Sequence, residues 1–313
     1  MPLISNNIKI LSYAVILCLA SNVSAQAAQC GNSAGGFESW KQDFLSEAAH
    51  NGLSANALEA LKGTHYSTAT IGADRGQKSF RLTLEQFLVK RGGGAIVARG
   101  RVLKRTNAAL FDSIEQRYGV PPGPLLAIWG METGFGAIHG NQNALSAVAT
   151  LAYDCRRSAY FTEQLYAALR LIERGVMTAS TRGSMHGEIG QTQFLPKNIL
   201  DYGTGGSLDN SGPALMSTAN FLKAHGWRAG AGYQPGEPNF DAIQAWNAAS
   251  VYQRAIAQVG KQIDGGEALS TSRPRSEIGE SSRLPSQMRG NDANVGGSST
   301  QSSPESDDLF DIR

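Results

Sequence analysis

The chain has 313 residues, 41% hydrophobic and 17% charged, an ordinary globular balance that supports one large domain or two lobes. Its formal net charge of +2 is too small to imply a nucleic-acid partner, and no basic stripe interleaved with aromatics supplies one.

At the amino end, Lys9 precedes an apolar run from Ile10 to Ala20, followed by Val23-Ser24-Ala25 and Ala25-Gln26-Ala27. A short apolar core with small residues three and one before a cleavage point reads as a secretory signal. It spans residues 1–27, removed after Ala25 or Ala27. A membrane anchor needs roughly 20 apolar residues, more than are present here. A lipoprotein signal fails too, since Leu17 precedes Cys18 where a small residue is expected. Export leaves Cys30 and Cys155. In an oxidising compartment these either form one disulfide, tying the amino end to Tyr153-Asp154-Cys155, or stay as two unrelated buried thiols. The bridge is preferred because it leaves no free thiol.

From about 36 to 264 the apolar spacing is helical. Phe37, Trp40, Phe44, Leu45 and Ala48 follow a 3.6-residue period that Gly52 stops, and Ser54 can cap a helix over Ala55 to Leu61. A small sheet is conceivable around Thr64 to Gly72. Phe80, Leu84, Phe87 and Leu88 suggest a helix ending at Gly92-Gly93-Gly94. Ala95 to Tyr118 reads as one long amphipathic helix, with Ile96, Leu103, Leu110 and Ile114 on one face. Pro121 and Pro122 then open a helix that ends at Glu132, proline being suited to a first turn. Tyr160 to Arg174 and Pro213 to His225 are further helices, and Asp241 to Ile263 is one broken near Asn247. The fold class is mainly α. Residues 265–313 carry eleven serines and one aromatic, Phe310, and cannot bury enough apolar surface to offset their ordering entropy. They read as a disordered tail.

Three stretches carry chemistry. In Leu126-Ala127-Ile128-Trp129-Gly130-Met131-Glu132-Thr133-Gly134-Phe135-Gly136 a single carboxylate ends an uncharged run. On a helix, Ile128 and Trp129 share its side, and an apolar wall disfavours the charged form, leaving a group suited to donate a proton. A glycosidase needs such an acid at the departing sugar oxygen. In Gly183-Ser184-Met185-His186-Gly187-Glu188-Ile189-Gly190-Gln191-Thr192-Gln193-Phe194-Leu195-Pro196, the glycines permit close backbone approach, and Gln191 and Gln193 suit hydroxyl and acetamido groups. In Trp246-Asn247-Ala248-Ala249-Ser250-Val251-Tyr252, two aromatics can cover sugar faces and Asn247 can read an N-acetyl group. Taken singly, each has a plain alternative: packing glycines, or a core tryptophan.

In this order, the blocks Trp129 to Gly136, Gly190 to Pro196 and Ala219 to Trp227 resemble the membrane-bound lytic transglycosylase B type of murein transglycosylase. The likeness extends from about Phe37 to Ile263. It implies a lysozyme-like helical catalytic core with additional amino-terminal helices, spanning 28–264, working on peptidoglycan glycan strands in the periplasm. It implies cleavage of the β-1,4 bond between N-acetylmuramic acid and N-acetylglucosamine to leave a 1,6-anhydromuramyl end, with Glu132 as acid and then base. The substrate's own acetamido oxygen would assist, so one protein carboxylate suffices where two are usual. By the same resemblance Ser184 lies near the muramyl acetamido group, Gln193 beside the glutamate, and Asn247 and Tyr252 along the cleft. Trp246 stands where a tyrosine is usual. Arg156 and Arg157 match an arginine pair suited to lactyl or stem-peptide carboxylates; the plain alternative is solvated surface.

Three departures matter. Some relatives have an Asp-rich calcium loop after the Gln-Phe-x-Pro block, but Tyr202 to Asn210 offers one Asp and one Asn, adjacent, so no bound metal is expected. Glu188 occupies a position that is often alanine. It is either a second cleft carboxylate acting on Glu132 or a solvated acid at a helix start, the latter preferred. No wall-binding repeat follows residue 264. No cofactor is implied: the five histidines lack paired helical spacing, and there is no Gly-x-Ser-x-Gly elbow or phosphate loop. Two rivals remain, a hydrolytic muramidase using Glu132 with Glu188, and a non-catalytic murein-binding protein.

Overall fold

The computed structural model describes residues 28–76 and 82–266. The leader, Phe80 and tail residues 267–313 lie outside them. A short 3-10 turn leads into α1 (Phe37–His50), α2 (Ala55–Lys62) and α3 (Thr68–Gly76). Next come α4 (Leu84–Lys90), α5 (Gly93–Thr106), α6 (Ala108–Tyr118) and α7 (Pro122–Thr133). The remainder are α8 (Ala144–Tyr153), α9 (Ser158–Glu173), α10 (Pro196–Tyr202), α11 (Ser211–Ala224), α12 (Phe240–Trp246) and α13 (Ser250–Asp264). Among the described residues the one sheet is a two-residue antiparallel pair, β1 (Gln142–Asn143) against β2 (Arg182–Gly183). The class is mainly α, as the periodicity predicts.

Local chemistry sets the boundaries. Ser54 Oγ accepts from Ala57 N at the start of α2, and Thr83 and Gln86 form a reciprocal capping box on α4. Two expectations are corrected. Thr64 to Gly72 holds no strand: Ser67 accepts from Thr70 N through its hydroxyl and from Ile71 N through its carbonyl, starting α3 over β-branched residues. Ala95 to Tyr118 is two helices, because the Asn107 carboxamide donates to Leu103 O at 3.1 Å, and its backbone leaves helical values there.

At the centre is α7. All twelve of its residues are buried, as a helix apolar on every side must be. It packs along α13 and against α5 and α11. The crossing with α13 is tight at one end, where a Cβ on Gly123 would strike the Gly260 carbonyl oxygen and the Asp264 carboxylate. Asp264 closes that end: its Oδ1 accepts from Gly123 N at 2.9 Å and Lys104 Nζ at 3.1 Å, and its Oδ2 from the Tyr233 hydroxyl at 2.8 Å. A carboxylate at the start of a helix is favoured by the aligned peptide dipoles. Burial, then the Asp264 charge, push the Tyr233 phenol well above its usual value, so it stays a donor. Gly123→Ala is expected to cost about 1–3 kcal/mol through overpacking. Gly94→Ala, with nothing within 4 Å of its added carbon, should leave the melting temperature unchanged or higher. Thermal melts of the two variants check this.

Candidate active site

Glu132 lies in the last turn of α7 with 5% exposure. Gly134, Phe135 and Gly136 follow in the left-handed region, at φ 58°, 62° and 78°, and turn the chain sharply away. This turn is tied to the glutamine-rich stretch. Thr133 Oγ1 accepts from Gly136 N and donates to Gln191 O at 2.7 Å, while Trp129 Nε1 donates to Gln191 Oε1 at 2.7 Å. Gln191 Nε2 donates on to Asp209 O at 2.8 Å. Any Cβ at Gly136 would occupy the Gln191 carboxamide, so only glycine lets the two segments meet. Gln193 adopts φ 53° and donates from Nε2 to Gly190 O at 2.8 Å, inside a loop closed by paired Ile189–Phe194 backbone bonds.

The indole that reaches the carboxylate is not Trp129, its helical neighbour, but Trp246, 114 residues further on. Trp246 Nε1 donates to Glu132 Oε1 at 3.2 Å, and its ring is held edge-on by Phe194 and Phe221, each with centroids 5.2 Å away. The break between α12 and α13 puts it there, with Asn247 Oδ1 accepting from Ala249 N at 2.9 Å. Neither Trp246 nor Tyr252 offers an open face for a sugar, since both are buried. Tyr252 stands edge-on to Phe87, with the Arg91 guanidinium over both rings and donating to Met131 O at 3.2 Å.

Ser184 and Glu188 meet. Ser184 Oγ donates to Glu188 Oε2 at 3.0 Å and accepts from the backbone N of His186 and of Glu188, each at 3.1 Å. Glu188 is therefore neither solvated nor at a helix start, correcting the preferred expectation: it is 3% exposed in the turn after β2. Gly187 lets this turn lie on α8, where a side chain would meet Val148 and the Ala144 carbonyl. Arg156 and Arg157 are not simply solvated either. Both pair with the buried Asp74 at the end of α3, which no sequence pattern marks. Cys155 beside them is bridged to Cys30.

Among the described residues no group of three or more His, Cys, Asp or Glu could hold a metal ion, and no helix is long and apolar enough to cross a membrane. The site thus joins a buried carboxylate, an indole donor and a glutamine-locked loop, an arrangement able to hold and release one proton away from bulk water.

Residues 36–236 match the family model described as the transglycosylase SLT domain. Over 140 residues the chain is 36% identical to the membrane-bound lytic murein transglycosylase B of Escherichia coli K12. That match covers 40% of this chain and 38% of that relative, well under two thirds of its length. Among solved structures, SltB3 of Pseudomonas aeruginosa in complex with NAG-anhNAM-pentapeptide is 28% identical, with a TM-score of 0.67 over 74% of this chain and 80% of that one. The Escherichia coli lytic transglycosylase Slt35 in complex with bulgecin A, 23% identical, has a TM-score of 0.63 over 77% of this chain and 98% of that one. The second likeness concerns the fold alone.

Proposed function

Because the chain belongs to the transglycosylase SLT domain family, we propose that it is an exported lytic transglycosylase of peptidoglycan, cutting between N-acetylmuramic acid and N-acetylglucosamine. The observation that carries this reading is the buried Glu132 carboxyl under the Trp246 indole. Glu132 gives its proton to the glycosidic oxygen as the bond from the muramyl anomeric carbon breaks. The muramyl C6 oxygen then bonds to that carbon, and its proton passes to the Glu132 carboxylate. No water is consumed, the acid is restored, and the product carries a 1,6-anhydro end.

The Trp246 N–H supports the carboxylate between the two proton transfers, when it is charged and away from water. Gln193, Asn247, Ser184 and the arginine pair complete the substrate contacts in this reading, with Tyr252 packed beneath them, and the leader at 1–27 and the Cys30–Cys155 bridge support a periplasmic location. Mass spectrometry of sacculi digested by the purified protein tests the activity. Muropeptides ending in anhydromuramic acid are expected; reducing muramyl ends alone would select the muramidase that pairs Glu132 with Glu188. Soluble products absent altogether would leave a murein-binding protein.

Trp246→Phe keeps the ring packing and removes the donor. Loss of one hydrogen bond to a charged group is worth about 1.5–3 kcal/mol, so kcat should fall roughly 10- to 100-fold. Steady-state turnover of soluble strands beside a thermal melt checks it; unchanged kcat in a folded variant would remove the indole from the mechanism.

A further inference from the structure

Two cuts fit the leader, after Ala25 or after Ala27, and they create different amino termini, Gln26 or Ala28. The surroundings of Ala28 separate them. Its backbone nitrogen stands 3.2 Å from Glu47 Oε2, in the last turn of α1, and Ala28 is partly buried against the core. Glu47 is half-buried and held from its other oxygen. Its Oε1 accepts from the Tyr166 hydroxyl of α9 at 2.8 Å, and Asn51 Nδ2 donates to that hydroxyl at 2.7 Å. Burial, then the hydrogen bond to Glu47, push the Tyr166 phenol up to about 12, so it remains a donor.

This carboxylate has hydrogen bonds but no counter-charge. Among the described residues its two donors are neutral, and no ion pair joins it to a lysine, arginine or histidine. A partly buried carboxylate favours a cation beside it, and the carbonyl end of a helix does the same. Residue 28 can provide one only after the bond before it is cut. A peptide N–H is neutral with one proton, whereas a freed α-amino group carries three and is mostly charged at neutral pH. The neighbouring backbone is already fastened: Cys30 is bridged to Cys155, and Gly31 N donates to Tyr153 O at 2.9 Å. Ordinary surface pairs lose much of their energy in ordering two long side chains; here one partner is fixed backbone. A cut after Ala25 would instead carry the ammonium two residues further, up to about 7 Å from Ala28 N.

We propose that the leader is removed after Ala27 and that the new Ala28 ammonium docks on Glu47, a terminus receptor completed only by processing. Water hydrolyses the Ala27–Ala28 amide on an export peptidase, leaving a carboxylate on Ala27 and an ammonium on Ala28. That a cut occurs rests on the leader reading of residues 1–27; its position rests on Glu47. Intact mass and terminal sequencing of the exported full chain read the cut directly, and a first residue of Ala28 is expected. A chain beginning at Gln26, or at any other residue after export, overturns the proposal and leaves the leader reading standing. A chain still carrying residues 1–27 overturns both. The receptor is tested by thermal melts of four oxidised chains released from a cleavable fusion, begun at Ser24 or at Ala28, each with and without Glu47→Gln. The substitution should lower the melting temperature of the Ala28 chain by about 2–4 °C, and that of the Ser24 chain by half as much or less. An equal or larger loss in the Ser24 chain, or no loss in either, would overturn the docking, because the neutral N–H bond is common to both.

Discussion

Glu132→Gln is expected to abolish turnover of sacculi while leaving a folded protein that still binds strands. General acid–base catalysis typically contributes about 10²- to 10⁴-fold, and here one group serves both transfers, so a loss near the upper end is expected. The amide cannot donate a proton to the leaving oxygen or accept one from the C6 hydroxyl. Its shape matches the carboxyl, and its oxygen can still accept from Trp246 Nε1. The substitution keeps the side chain's size and its contact with the indole, so the melting temperature should hold. Zymography, a thermal melt and strand binding together check it. Activity within tenfold of the unmodified chain would move the chemistry to another residue; a lost fold would show that the carboxyl is structural.

The other large effect is on stability. Cys30 and Cys155 are 125 residues apart in sequence, and removing a native bridge of this kind typically costs about 2–5 kcal/mol. For a domain of this size each kcal/mol shifts the melting temperature by about 2–4 °C, so Cys30→Ala/Cys155→Ala should melt roughly 10 °C lower. The bridge fastens the start of the described chain to the end of α8. Gly31 N donates to Tyr153 O at 2.9 Å, Cys155 N to Gly31 O at 3.2 Å, and the Tyr153 hydroxyl to Ser33 O at 2.8 Å. These contacts hold the turn that carries Arg156 and Arg157. A reductant that leaves the melting temperature unchanged would contradict the assignment.

What the sequence reveals depends on how visibly each element is bounded. Pro122 and Gly134 delimit α7 by backbone restriction, and Ser54 marks α2 by its hydroxyl, so both are readable residue by residue. The broken α12–α13 pair is equally legible. In contrast α8, Ala-Leu-Ser-Ala-Val-Ala-Thr-Leu-Ala-Tyr, is buried on every face and shows no amphipathic period to detect. Helix α3 hides because its threonines and isoleucine favour strands in isolation, while a serine cap decides otherwise. Within the site, Glu132 is conspicuous as one charge in an apolar run. The partnerships of Trp246 with Glu132 and of Asp74 with the arginines join positions 114 and about 80 residues apart, and spacing along the chain cannot predict such meetings.

The most direct test of a single carboxyl working without water is digestion of sacculi in water enriched in oxygen-18, followed by mass spectrometry of the released muropeptides. Intramolecular closure predicts anhydromuramyl ends with no heavy oxygen, at the same mass in either solvent. Muramyl ends heavier by one oxygen-18 atom at the anomeric carbon would mean that water attacks, and the mechanism built on Glu132 alone would fail.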